Sequence, residues 1–170
     1  SYGTPGWGHT DHIYGEQMSK AAGIQLTHVP YKSEFASTND LLGGHLTSSF
    51  ASIGTALPFL KANRLRALGL ASKARSKVLP NVPSFTELGL PLPDIGSWFG
   101  VLAPAGTPAA IVRKVSVDIR EILAQPEMIR FLEDQGIEPV GSTPEAFAER
   151  IHGDLGRWKE LLREVGITPE

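Results

Sequence analysis

The sequence predicts an α/β protein whose sheet is mostly parallel and carries helices on both sides, followed by a helical C-terminal stretch. Two observations carry that class. Strand-like and helix-like segments alternate through the first hundred residues, the pattern of a parallel sheet with crossover helices. From Thr107 onward the apolar residues recur at helical spacing only.

Each element follows from local chemistry. The opening stretch Tyr2 to His12 places glycines at 3, 6 and 8 before an amphipathic run in which Tyr14, Met18, Ala21 and Ala22 share one helix face. That helix should reach Ala22 and stop at Gly23, a suitable C-cap. Ile24–Val29 is short, contains β-branched residues and ends at Pro30, so it reads as a strand. Ser33 can cap a helix to Leu42, which the Gly43-Gly44 pair ends. Leu46–Ala51 reads as a second strand, and Ile53–Ala62 as a helix that Pro58 should distort. Leu65–Ala71 is apolar enough for a third strand buried on both faces. Lys73–Pro93 is a proline-punctuated connection with one short helix over Ser84–Leu88, and Ile95–Ala103 reads as a long strand.

Three helices should follow. Thr107 is placed to cap the first and Pro108 to take its first helical position. Ile111, Val112, Val115, Ile119, Ile122 and Leu123 give it a broad apolar face. The second runs from Pro126 to Gln135 and ends at Gly136. The third starts at Ser142-Thr143-Pro144-Glu145, close to a capping box, and carries Phe147, Ile151, Leu155, Trp158, Leu161 and Leu162 on one side.

Composition removes several function classes. The 170 residues have a formal net charge of −2, and no basic stripe or DNA-binding helix pair is recognisable, which argues against a nucleic-acid partner. No run of eighteen apolar residues is present to span a membrane. The absence of cysteine excludes disulfides, thiol catalysis and a thiolate metal site. Charge is uneven: residues 1–90 hold eight Lys/Arg against five Asp/Glu, net +3, and residues 91–170 hold eight against thirteen, net −5. A mildly basic first half suits an anionic small ligand.

The opening loop is the strongest candidate site, and two readings stand for it. Gly, Pro and Thr before a helix make an ordinary turn and N-cap. The same arrangement also points unpartnered backbone N–H groups along the positive end of a helix dipole, which holds anions, and glycines let the backbone approach a ligand closely. Thr4 and Thr10 would add hydroxyl donors. No lysine follows Gly8, so the pattern is not that of a nucleotide phosphate loop. His9 and His12 share a helix face, but two ligands make a weak metal site, and no metal or other cofactor is expected. A hydrolase is disfavoured, since no G-x-S-x-G elbow occurs and Ser48 and Ser49 lie in a strand-like run.

Taken together, the opening loop, Val29-Pro30-Tyr31-Lys32, Asp40-Leu41-Leu42-Gly43-Gly44, Pro80 to Pro91, Ser97-Trp98-Phe99-Gly100 through Thr107-Pro108, and Arg157-Trp158 give the chain a likeness in order and spacing. It resembles the Bug-type periplasmic solute receptors of tripartite tricarboxylate transporters over essentially its whole length. The resemblance implies a lobe of the type II periplasmic-binding-protein kind, with residues 1–100 as the second, α/β lobe of a bilobed receptor. Residues 101–170 would be a crossover strand and helices that pack on a first lobe carried by roughly another hundred residues upstream. It further implies no enzymatic activity, a periplasmic location, a small organic carboxylate as ligand and membrane transporter subunits as partners. The ligand would be held by Thr4, Gly6, Trp7, Gly8, His9 and Thr10, with Ala51 and Ser52 as a second contact, and His12 would brace the loop. This sequence has Ala51 where many members have Asp, and His9 where they have Ser. The first disfavours an amino-acid ligand; the second, with Trp7, favours an aromatic or larger carboxylate, although Trp7 could equally be loop packing. Without a first lobe, the exposed helix faces predict a homodimer. A ligand-sensing effector domain of a bacterial transcription regulator is the alternative architecture.

Overall fold

The computed structural model describes residues 1–90 and 96–167. Its first strand, β1 (Tyr2–Thr4), lies inside the segment read above as a loop. The chain continues through α1 (Thr10–Ala22), β2 (His28–Pro30), α2 (Glu34–Leu42), β3 (Ser48–Ser49) and α3 (Ile53–Lys61). After the long connection come α4 (Ala109–Leu123), α5 (Pro126–Asp134) and α6 (Pro144–Glu164).

The three strands form one parallel sheet in the order β2-β1-β3. Tyr2 pairs with His28 on one side and Ser48 on the other, so β1 is central. Successive strand residues face opposite ways. On the Tyr2 face stands α1, whose Gly15 lies directly against the Tyr2 ring; on the Gly3 face Ser37 of α2, with Leu46 from the connection after it, closes over the strand. Helices therefore cover both faces, as the alternation predicted. A small core of Ile13, Tyr14 and Leu161 is extended by Phe50, Ala71, Trp158, Leu162, Val165 and Ile167.

Local chemistry ends most helices where the residues said it would. Gly23 adopts φ +64° and closes α1, Ser33 accepts the Ala36 N–H at the start of α2, and Thr143 accepts the Ala146 N–H at the start of α6. Pro58 sits within α3, which continues past it to Lys61, so the helix is not broken there.

Several expectations need correction. The strands are shorter than Ile24–Val29 and Leu46–Ala51 suggested. Leu65–Ala71 is not a sheet strand: the backbone of Leu70 bonds instead to Pro83 and Phe85, a single bridge that folds the connection back on itself. Ser84–Leu88 makes one turn rather than a helix, closed by a reciprocal box in which the Ser84 N–H donates to Glu87 and the Glu87 N–H to the Ser84 hydroxyl. The expected strand Ile95–Ala103 begins outside the described residues, and 96–103 form no ladder; side chains of α6 hold this segment instead. Trp98 Nε1 donates to Asp154 at 2.8 Å and its ring meets Phe147 edge-on at 4.9 Å. The first C-terminal helix starts one residue later than expected: Pro108 is its N-cap, and Thr107 turns its hydroxyl back to the Pro104 carbonyl.

The C-terminal helices gather mainly on one another, with α4 against both α5 and α6. The end of α6 reaches the sheet, where Leu161 is buried with Ile13 and Tyr14, and the turn after α5 meets α3, with Gln135 and Gly136 against Gly54 and Ile53. Neither α4 nor α5 has a buried residue, and Phe99, Val101, Leu102, Ile111, Val115 and Phe131 all stand exposed. No helix among the described residues is long and apolar enough to cross a membrane.

Candidate functional site

The sheet order creates the site. From central β1 the chain crosses to β2 on one side and later to β3 on the other, so the loops leaving β1 and β3 part at a switch point. Ligands in open parallel sheets settle in such crevices at the carboxyl ends of strands. The loop after β1 is Pro5–His9, and the loop after β3 carries Ala51 and Ser52. Both candidate segments from the sequence thus leave neighbouring strands at the same edge.

The first loop is shaped from beneath. Thr4 is fully buried, and its hydroxyl receives the Gly6 N–H at 3.3 Å, contacts the Gly6 carbonyl at 3.2 Å and lies 2.6 Å from His28 Nε2. It cannot also serve as the outward donor expected of it. The Gly8 N–H donates to His12 Nδ1 at 3.2 Å, so His12 does brace the loop. Gly6 and Gly8 take φ +153° and +68°, backbone that side chains disfavour. These bonds leave the Trp7 and Thr10 amides without an acceptor among the described residues, beside the N-terminus of α1.

His9 is the N-cap of α1. Its Nδ1 can accept the Asp11 N–H when neutral or face the Asp11 carboxylate, 3.5 Å away, when protonated. The hydrogen bond to Asp11 raises its pKa, burial opposes that, and the charges of Asp11 and Glu34 add to the rise. Behind the loop lies an aromatic stack. His12 and His28 lie ring on ring at 3.9 Å, and Trp7 meets both edge-on at 4.7 and 5.0 Å while leaving 71% of its surface exposed. Burial lowers the pKa of His12 against the pull of Glu16, and burial together with His12 brings His28 down to about 4.

The second loop is already engaged. Ser52 caps α3, and both its N–H and its hydroxyl donate to the Glu34 carboxylate, at 3.2 and 2.8 Å. Ala51 is exposed beside it. Sequence reasoning missed Glu34, whose only signal was its place just after the Ser33 cap. It also missed a cleft of about 210 Å³ that Thr10 shares with Gly96, Ser97, Trp98 and Trp158. Nothing in residue spacing brings those segments together. Among the described residues no cluster of three or more His, Cys, Asp or Glu could hold a metal ion.

Known proteins match this arrangement along the chain. Residues 1–167 match the model of the tripartite tricarboxylate transporter family receptor. The chain belongs to that receptor family. The UPF0065 protein in the tcbD-tcbE intergenic region of Pseudomonas sp. strain P51 is 32% identical over 99% of this chain and 50% of its own length. Protein BugT of Bordetella pertussis is 31% identical over 94% of this chain and 49% of its own. The chain thus spans about half the length of these two relatives, although it spans 94% of a 31% identical relative from Pseudomonas knackmussii. Among solved structures, an R. palustris protein with adipate superposes with a TM-score of 0.92 at 29% identity, covering 99% of this chain and 56% of that one. MatC from Rhodopseudomonas palustris with bound malate gives 0.78 at 25% identity, covering 95% and 56%. The periplasmic binding protein BugD gives 0.84 at 26%, covering 99% and 57%. The expected α/β receptor lobe is therefore the fold observed.

Proposed function

We propose that this chain is the carboxylate-gripping lobe of a periplasmic solute receptor that delivers a small organic acid to membrane transporter subunits. The observation that carries the proposal is the loop Pro5–His9: two internal acceptors, Thr4 Oγ and His12 Nδ1, fix its backbone, while the Trp7 and Thr10 amides beside the positive end of α1 have no acceptor among the described residues. Gly6, Trp7, Gly8, His9 and Thr10 line that grip, Thr4 acts by shaping it, and Ala51 and Ser52 border it from the next strand. The adipate and malate of the solved relatives are compatible ligands for such a grip. The role is capture, not catalysis.

Thermal-shift screening of adipate, malate and aromatic carboxylates against sugars and simple cations is the test. Stabilisation by carboxylates is expected; a response to sugars or cations alone would sink the reading.

We also infer what covers the exposed C-terminal faces. In the full-length receptors a first lobe would take them, and in the 170-residue chain a second copy would. Each apolar side chain moved out of water contributes roughly 1.5–3 kcal/mol, which favours association. Light scattering should find a dimer; a monomer at high micromolar concentration would refute the pairing.

A further inference from the structure

His28 has no part in the carboxylate grip as described, yet its ring lies directly beneath it. We propose that His28 is a positioning residue which, with His12, holds the glycine loop in its binding shape only while both imidazoles are neutral, making carboxylate capture proton-sensitive. The inference rests on the receptor reading above for its consequence, and on the geometry alone for its mechanism.

Hydrogen counting points to one tautomer for each ring. A hydroxyl has one hydrogen and two lone pairs. If Thr4 gives its hydrogen to the Gly6 carbonyl while accepting the Gly6 N–H, His28 Nε2 must be the donor in the 2.6 Å contact. His28 Nδ1 is then a bare lone pair, and this atom is buried without a partner. A proton placed there would be an orphaned donor, worse than an orphaned acceptor with nothing to bind. His12 is fixed from the other side: because Nδ1 accepts from Gly8, the hydrogen must sit on Nε2, which faces Glu16 Oε1 at 3.7 Å. A second proton on His12 would set N–H against the Gly8 N–H and break that bond.

The surroundings work the same way. The two rings stack at 3.9 Å and nearly parallel, 11° apart, so charging one opposes charging the other. From β1, Tyr2 presents a hydroxyl that donates its one hydrogen to Glu16 at 2.7 Å, with the His12 carbonyl 3.4 Å away, and adds no charge. Glu16 is the group on α1 that favours a proton on His12, while Asp11 and Glu34 act on His9 at the outer edge. Burial outweighs Glu16 at both rings. Acid therefore has one route in, through Nδ1 of either ring: at His12 it breaks the Gly8 bond directly, and at His28 it creates a buried N–H with no acceptor, which drives the ring away from Thr4 and loosens the Thr4–Gly6 bonds.

The test uses nitrogen-labelled 170-residue chain followed by NMR from pH 7.5 to 3, with adipate as probe. Both imidazoles should show the Nε2–H tautomer at pH 7.5, and the Gly6 and Gly8 amide signals should move with the imidazole midpoints. His12→Asn keeps an acceptor at the Nδ1 position and His28→Gln a donor at the Nε2 position, neither able to titrate. Each should pin its glycine signal across the range. Wild-type adipate affinity should fall up to about tenfold per pH unit below the imidazole midpoints, and the double variant should lose only what protonation of adipate itself removes. An Nδ1–H tautomer at either ring, or glycine signals that stay fixed while both imidazoles titrate, overturns the proposal. Failure of adipate and malate to bind at pH 7.5 with the titration as expected would instead refute the receptor reading and leave the loop mechanism standing.

Discussion

The Tyr2 ring fills the space where a side chain on Gly15 would begin. A Cβ built there overlaps the ring carbons, and Tyr2 is fully buried with its hydroxyl tied to Glu16, so the ring has nowhere to go. Glycine inside a helix normally gives up about 1 kcal/mol relative to alanine. Here packing reverses that preference. Gly15→Ala should destabilise the chain by about 1–3 kcal/mol through overpacking, seen as a lower urea midpoint; a higher midpoint would mean α1 can slide away from the sheet.

Gly8 differs in kind. Nothing lies within 4 Å of a Cβ there, so its substitution meets only backbone strain at φ +68°. Gly8→Ala should lose about 1–2 kcal/mol of stability, and Gly8→Val more, because a branched side chain tolerates this region least. Both place carbon in the mouth of the loop, so carboxylate affinity should drop further with Val than with Ala. Calorimetric titration of the two variants checks the order.

Acid should weaken the fold as well as the loop. His12 and His28 are held below the ordinary imidazole pKa, so the unfolded chain binds protons that the folded chain refuses. Stability contributed by the neutral rings is complete above about pH 6.5 and declines as pH falls toward about 4, the value for His28. His9 runs the other way, its contribution present in acid and lost as pH rises through its raised pKa, but it is more exposed and counts for less. Urea midpoints at pH 7.5, 5.5 and 4.5 should decline, and His28→Gln should flatten the decline.

Glu34 should separate stability from affinity. Its carboxylate caps Ser52 and sits at the start of α3, a placement that favours negative charge. Glu34→Gln should reduce stability by about 0.3–1 kcal/mol while increasing affinity for a dicarboxylate, because a like charge near the grip is removed. Equal loss of both would show that Glu34 only maintains the scaffold.

The helices were legible because caps and apolar spacing are local. Gly23, Ser33 and Thr143 end or begin their helices as their chemistry requires. Strands were not, because their extent depends on partners elsewhere in the chain. Tyr2–Thr4 is a strand only because His28 and Ser48 arrive on either side of it, and Leu65–Ala71 is not one because Pro83 and Phe85 take the Leu70 backbone. The site divides along the same line. Glycines at a helix start mark the loop, whereas Thr4 turning inward, Glu34 on Ser52 and His28 under His12 are juxtapositions between elements, invisible to spacing.

The central place of β1 also constrains how the chain acquires its structure. Tyr2–Thr4 comes first, yet both of its hydrogen-bonding neighbours follow it, the second only after two helices have been made. Loop-closure entropy must be met before either pairing returns any stabilisation, which slows folding. During synthesis its pairing with β3 waits until Ser48–Ser49 has emerged, and in that interval the edge that β3 will take is open to pairing with the wrong chain.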